Sequence, residues 1–506
     1  MFFYVTLLRP PPASCSLPST STGPSTSNGK SQHKARASDK VSKSKNADKS
    51  GKSRGAGKAG PTPGIVNICP EISNDLRYEN LNEPAGRDIY YSWIKCGNFG
   101  NPLAQPATWP AKLTTYRAET SSRYKELPVP VPREAKHGDR WRLALWCEPA
   151  GQSKARPPSA PKVVIELCSP SLGAWPLPVM SEPVVFDGVP TEKQVLVSRV
   201  YSLGRVDRRE AEDVLLMITE RTGYNLATKV WDSGIGLSSW ICALVELHPD
   251  SELETQMRHI LLSPGKRRIV ELGAGTGILS FTLAALRQAF RSKRLQETLA
   301  AEGSEGVDTT EREEDDDEIF VTDLESALDL LDHNLRQNIH LYEAHPTIPI
   351  ESEATPDDEQ PRSPSAGLQA LELDWDKPKL PDAIARGGAL DLVIPDPSGM
   401  TVLHKFMLIF TFRMADVTYN TDSFPELVST MKSLIALSPA SIPPPMFLLG
   451  YKQRHPDERV LWEMANKQAG VHFVKVAERC GYARPAEDIT GRGEGPVEIW
   501  IGTVQR

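Results

Sequence analysis

The chain has 506 residues, a formal net charge of −7 and 43 prolines. That length allows about three average domains, but long stretches are too polar to pack. Seven scattered cysteines with no Cys-x-x-Cys pair argue against a disulfide scaffold or a zinc site and for a reducing compartment. No apolar run is long enough to span a bilayer. A cytoplasmic protein with the nucleus as a second location is expected.

In chain order, Met1–Leu8 is apolar but short, with no basic residue before it, and makes a poor signal peptide. Between Asn28 and Gly60 there are ten Lys/Arg against two Asp and almost nothing apolar. Such a segment cannot bury enough surface to offset its ordering entropy. Residues 1–69 therefore read as a disordered basic tail, whose only expected nucleic-acid contact is weak and nonspecific. Residues 70–160 are Pro-rich, with strand-like runs at Asp88–Ile94 and Arg140–Cys147 and no legible function. Residues 161–229 read as a β-rich lead-in, with strands at Lys162–Leu167, Val184–Phe186, Gln194–Tyr201 and Asp213–Glu220.

From 230 to 506 the pattern alternates strand and helix. Val230-Trp231-Asp232-Ser233 opens an apolar helix that runs to Leu247. The β-branched run Ile269-Val270-Glu271-Leu272 then leads into Gly273-Ala274-Gly275-Thr276-Gly277 and a second apolar helix. Strand, tight turn and helix in that order let backbone approach a ligand without Cβ interference. A dinucleotide fingerprint would want Gly or Ala at 278, where this chain has Ile278, and no Gly-Lys-Ser/Thr ending marks a P-loop. Glu271 before the glycines suits a cationic ligand, and S-adenosylmethionine is one.

Residues 297–318 hold eleven acids and one Arg and read as a solvated loop. Glu318–Asp323 is the next strand. Its terminal acid falls 46 residues after Gly277, or 24 once the 22-residue insert is removed. That spacing fits an acid that holds ribose hydroxyls, and a helix N-cap is the other role open to Asp323. A second insert, 343–367, precedes Leu373-Asp374-Trp375, where a carboxylate and an indole could face an adenine ring. Leu390–Ile394 begins the fourth strand and Met414–Asn420 reads as its end. Helix Phe424–Leu437, strand Met446–Lys452, helix Asp457–Gln468 and strands Val471–Glu478 and Val497–Gly502 follow. Two late strands without a helix between them predict an antiparallel pair at one edge.

The ordered set Val230-Trp231-Asp232-Ser233, Glu271–Gly277, Val321-Thr322-Asp323-Leu324, Leu373-Asp374-Trp375 and Ala415-Asp416-Val417-Thr418-Tyr419 resembles the seven-strand protein-lysine methyltransferases of the methyltransferase-like group, also labelled nicotinamide N-methyltransferase-like. The resemblance covers about residues 210–506 and narrows on the Asp-x-x-Tyr segment. It implies an α/β fold: a Rossmann-like seven-strand methyltransferase sheet with helices on both faces, preceded here by the β-containing extension and the tail. It also implies S-adenosyl-L-methionine as cofactor and a lysine of a protein substrate as acceptor. Asp416 and Tyr419 would be catalytic. Trp231, Glu271, Gly273, Gly275, Gly277, Asp323, Asp374 and Trp375 would bind the cofactor. No metal and no membrane partner are expected, and the chain is expected to be monomeric. The competing readings are another methyl acceptor, a non-catalytic adenosyl-binding scaffold and an NAD-linked oxidoreductase.

Residues 395–413 interrupt strand four with Pro395, Pro397 and a second strand-like run, Phe406–Phe412. Deleting them joins Leu390–Ile394 directly to Met414–Tyr419. The segment reads as a short intron translated in frame. Transcript reads decide it: spliced reads joining 394 to 414 are expected, and uniform unspliced coverage would make 395–413 a genuine loop.

Overall fold

A computed structural model describes residues 1–17, 64–97, 106–119, 124–150, 158–189, 191–204, 213–223, 228–246, 249–263, 265–302, 317–342, 367–377, 379–395, 423–454, 456–482 and 495–505. Among the described residues up to Arg221 the regular elements are all strands: β1 (Tyr4–Arg9), β2 (Ile65–Ser73), β3 (Arg87–Lys95), β4 (Ala111–Tyr116), β5 (Leu127–Pro130), β6 (Arg140–Pro149), β7 (Val164–Glu166), β8 (Val179–Ser181), β9 (Val184–Val185), β10 (Leu196–Ser202) and β11 (Leu215–Arg221). They form a three-stranded sheet, β1-β2-β5, and an eight-stranded sheet whose main path is β11-β10-β8-β6-β3-β4. The long hairpin-like pair β3 and β6 runs in register from Arg87↔Pro149 to Lys95↔Trp141. Between the two sheets, Trp93 is packed against Phe186 and donates its indole N–H to the Pro130 carbonyl at 2.9 Å.

Two sequence expectations change here. The unpacked tail does not include residues 1–17 or 64–69. Tyr4–Arg9 pairs antiparallel with β2, Tyr4 opposite Ser73, and Phe2, Phe3, Val5 and Leu7 are no more than 1% exposed. The apolar run is a core strand whose partner lies some 60 residues downstream, so no local pattern announces it. Residues 18–63 lie outside the described residues. The boundary at 160/161 is also absent, because β3, β4 and β6 share one sheet with β7–β11. Apolar alternation survives the prolines, most of which sit in the connections or at strand ends, although Pro70 lies within β2 and Pro128 within β5.

The remainder is α1 (Asp232–Glu246), α2 (Glu252–Leu262), β12 (Arg268–Leu272), α3 (Ile278–Glu302), β13 (Glu318–Asp323), α4 (Glu325–Gln337), β14 (Leu368–Glu372), α5 (Asp382–Arg386), β15 (Leu392–Pro395), α6 (Phe424–Ile435), β16 (Met446–Tyr451), α7 (Val460–Met464), β17 (Val471–Arg479) and β18 (Val497–Val504). The sheet order is β14-β13-β12-β15-β16-β18-β17. The first five strands are mutually parallel and β18 is antiparallel to both neighbours. This is the class I methyltransferase architecture, with strands in the order third, second, first, fourth, fifth, seventh, sixth. All five residues of β12 are buried, as a central parallel strand covered on both faces requires. One face packs on α1, α2 and α3, the other on α5, α6 and α7.

The acidic block 297–318 is not wholly loop. Helix α3 runs through Glu302, and Asp317 is 5% exposed, paired with the buried Arg287 guanidinium at 2.8 Å. Residues 303–316 and 343–366 lie outside the described residues. Within the fourth-strand slot, Leu392–Pro395 pairs with β12, Leu272 opposite Pro395. Residues 396–413 of the interruption lie outside the described residues.

The two halves share a core, since Phe2, Tyr4, Tyr201 and Ile218 pack in one cluster with Ile235, Trp240 and Phe281. They are also joined by polar bonds. β11 is the edge strand of its sheet, and an unpaired edge needs covering. Asn334 on α4 and Asn338, the C-cap residue one turn later, do this with their carboxamides. Asn338 accepts from the Met217 N–H at 2.9 Å and donates to its carbonyl at 2.7 Å. Asn334 accepts from the Thr219 N–H at 2.8 Å and donates at 3.0 Å to the carbonyls of Thr219 and Thr276. Both asparagines are fully buried. Asn334→Ala would orphan backbone groups in both halves, each costing about 1–3 kcal/mol. A loss of at least about 2 kcal/mol is expected in urea unfolding, and an unchanged midpoint would remove Asn334 from the joint.

Candidate functional site

The glycine turn lies at the carboxyl end of β12. Gly273, Gly275 and Gly277 have φ of 73°, 58° and 76°, in the left-handed region that favours glycine. At Gly277 a Cβ would also sit 2.5 Å from the Phe281 ring. The Gly273 and Ala274 N–H groups both donate to the Thr322 carbonyl at 2.9 Å, pinning the turn to β13. Glu271 is 1% exposed and accepts the Ser280 N–H at 3.2 Å, in the first turn of α3. A carboxylate there complements the helix dipole. Ile278, the residue that breaks the dinucleotide fingerprint, packs against α1: a Cβ on Gly234 would come within 2.9 Å of it. The small residue needed for close packing has moved to the neighbouring helix.

Asp323 ends β13 and is 3% exposed. Its carboxylate accepts the Gly275 N–H and the Leu324 N–H, both at 2.7 Å. The N-cap position of α4 is Leu324, with no side-chain cap, so Asp323 does not cap that helix. It braces the turn. Asp374 follows β14, partly exposed, accepting the Asp376 N–H at 3.1 Å, and Trp375 packs half-buried on the far-face core. The carboxyl ends of three adjacent parallel strands thus bring Glu271, the three glycines, Asp323 and Asp374 to one edge, where open α/β sheets bind ligands. Asp416 and Tyr419 lie outside the described residues.

Trp231, 5% exposed, immediately precedes α1. The Arg454 guanidinium lies 5.6 Å above its ring, and Arg454 is ion-paired with Asp75 from the N-terminal sheets. Next to it, Asp232 is fully buried. It takes the Lys452 ammonium at 2.6 Å, the Tyr4 hydroxyl at 2.7 Å and the Phe2 N–H at 3.0 Å. Burial and the Asp232 carboxylate push the Tyr4 phenol well up, so it stays a donor. For Asp75, burial pulls the other way, but Arg454 and Lys452 outweigh it and hold the carboxyl far below its usual range. Lys229, two residues before Trp231, is pulled down to about 7, first by burial and then by Arg77.

This cluster is not legible in the sequence: Asp232 stands in Val230-Trp231-Asp232-Ser233 and Lys452 and Arg454 follow the fifth strand, but nothing local marks Asp75. Among the described residues no group of His, Cys, Asp and Glu could hold a metal ion, and no helix is long and apolar enough to cross a membrane.

A family model described as lysine methyltransferase matches residues 210–349. That span holds Trp231, the glycine turn and Asp323 and stops short of Asp374. No curated protein matches the chain. Among solved structures, a precorrin-6y C5,15-methyltransferase from Geobacter metallireducens is 10% identical, covering 51% of this chain and 94% of its own, at a TM-score of 0.25. A SAM-dependent methyltransferase from Aquifex aeolicus is 10% identical over 50% of this chain and 90% of its own, also at 0.25. A glycopeptide N-methyltransferase complexed with sinefungin is 12% identical over 51% and 86%, at 0.24. Overlays this loose carry no argument, and the strand order stands on its own.

Lys229 generates a pH prediction. Its folded pKa of about 7 lies below the unfolded value of about 10.4. Between those values the unfolded chain binds more protons, so this residue makes stability rise with pH. Lys229→Met should be more stable than the parent near neutral pH, with the advantage shrinking toward about pH 10. Urea midpoints at the two ends of that window check it; a constant offset would contradict the assignment.

Proposed function

We propose that the chain is an S-adenosylmethionine-dependent methyltransferase whose acceptor is a lysine side chain of a protein. The observation that carries the reading is the turn itself: three left-handed glycines between Glu271 and Asp323, at the carboxyl ends of the first two strands of a class I methyltransferase sheet. The lysine methyltransferase family model over 210–349 supports the acceptor class.

S-Adenosylmethionine supplies a methyl on a sulfonium, open to in-line displacement. The chain's own part is alignment. Asp323 accepts the Gly275 and Leu324 N–H groups, and a carboxylate of this kind can also accept from ribose hydroxyls. Glu271 sets a negative charge at the start of α3. Trp231 covers the methionine end, and Asp374 with Trp375 flanks the adenine. A lysine amine must shed its proton, at a pKa of about 10.4 in water, before it can attack. A dry aromatic site favours that loss. Asp416 would accept a hydrogen bond from the amine, and Tyr419 would wall the transferred methyl.

Calorimetry on the full chain tests the cofactor. S-Adenosylhomocysteine should bind and NADH should not. Asp323→Ala removes a charged acceptor worth about 1.5–3 kcal/mol, and Gly275→Val puts a branched side chain where φ is positive. Each should weaken binding about tenfold or more. Wild-type affinity in Asp323→Ala would leave that residue only its bracing role. Tritiated cofactor with a lysate tests transfer: protein labelling that vanishes in Asp416→Ala supports the acceptor site, and unchanged labelling removes Asp416 from it.

A further inference from the structure

On the α7 face of the sheet, three aromatic rings surround one cation. The Arg459 guanidinium carbon lies 5.0 Å from the Tyr451 ring centroid, 5.2 Å from Trp462 and 5.7 Å from Trp500. All three distances fall within the range over which a cation is attracted to a ring face. The rings meet edge to face: Tyr451 and Trp462 at 4.7 Å and 80°, Trp462 and Trp500 at 5.2 Å and 62°. Glu498 completes the site with a carboxylate 3.0 Å from the guanidinium.

We propose that this is a second binding site, an aromatic cage for the methylated ammonium of a protein lysine side chain, closed in this structure by Arg459. Arg459 fits the cage as a stand-in cation. The rings do not depend on it for their positions. Tyr451 is 3% exposed and donates its hydroxyl to Glu458 at 2.8 Å, and Trp500 donates its indole N–H to Glu498 at 3.1 Å. Arg459 itself is loosely held. Its side chain is 39% exposed, it ends a single 3₁₀ turn (Pro456–Arg459), and its remaining bonds go to Gln453 and Glu498. Its end of the ion pair reaches solvent, and ion pairs open to solvent are weak. An incoming methylammonium meets three rings and a carboxylate already in place.

The cage is distinct from the methyl-transfer edge. Side chains alternate along a strand: Tyr451 faces α7, whereas Lys452, the next residue, turns to Asp232 on the other face. The proposal goes beyond the transferase reading, because binding is read without turnover.

The test titrates the full chain with three probes: an acetylated, amidated peptide bearing dimethyl-lysine, the same peptide unmodified, and dimethylammonium chloride. Arg459 taxes the wild-type affinity by the fraction of time the cage is closed. Arg459→Ala should bind the dimethyl-lysine peptide about tenfold more tightly than wild type, and about tenfold more tightly than it binds the unmodified peptide. Adding Trp500→Ala should abolish that gain. Arg459→Gln reads the same way if the alanine variant does not fold. No preference for the methylated peptide in an opened variant, or a preference that survives Trp500→Ala, would make the cluster a structural stack only. Binding of dimethylammonium as tightly as the dimethyl-lysine peptide would overturn the assignment to a protein side chain.

Discussion

Asp232 is the carboxylate on which the arrangement of the two halves depends. A fully buried charge is costly unless paired and hydrogen-bonded. Here the Lys452 ammonium, the Tyr4 hydroxyl and the Phe2 N–H all converge on it. Two of those three donors come from the N-terminal segment, Phe2 just before β1 and Tyr4 within it, and one from the loop after β16. The carboxylate therefore has all three partners only when the N-terminal segment is seated against the seven-stranded sheet. Asp232 is also the first residue of α1, so the same bonds set where α1 begins and where Trp231 stands. Gly234, two residues on, receives Ile278 from the start of α3. One electrostatic constraint thus runs through two helix starts to the glycine turn.

The turn is braced from other directions as well. Asp323 holds the Gly275 N–H, Thr322 holds two more, and Asn334 holds the Thr276 carbonyl. Left-handed backbone at three alternate glycines is conformationally expensive, since glycine loses the most freedom on ordering. The surrounding bonds compensate for that loss and fix the N–H and carbonyl directions in advance. A ligand arriving at this edge has little ordering left to impose, which is the physical content of preorganisation.

Legibility in the sequence followed the range of the interactions. The strand–turn–helix at Ile269–Leu279 and the late antiparallel pair were readable because their signals are local: β-branched runs, alternate glycines, no helix between two strands. Met1–Leu8 was seen as apolar and still missed as a strand, since β2 lies beyond a long polar tail. The prolines of 70–160 hid strands whose pattern they interrupt without breaking, Pro70 within β2 and Pro128 within β5. The length of helix α3, which runs to Glu302, is hidden because its charged later turns resemble the acidic insert that follows. The charge cluster was the least legible feature: Asp75 and Arg454 stand 379 positions apart, and no periodicity encodes such a pair.

The N-terminal sheets are therefore a fixture of the site. A tethered domain would meet its neighbour through a polar, moderate interface. Here Phe2 and Tyr4 are core residues of the half that holds the seven-stranded sheet, and α4 covers the edge of β11 with two buried carboxamides. Asp75, from the same sheets, holds Arg454 over Trp231. Removing the sheets would strip Asp232 of two donors, leave Lys452 and Arg454 with altered partners, and open the edge of α4. The chemistry-bearing edge belongs to the seven-stranded sheet, but the geometry of its Trp231 corner is set by residues that come before residue 80 in the chain.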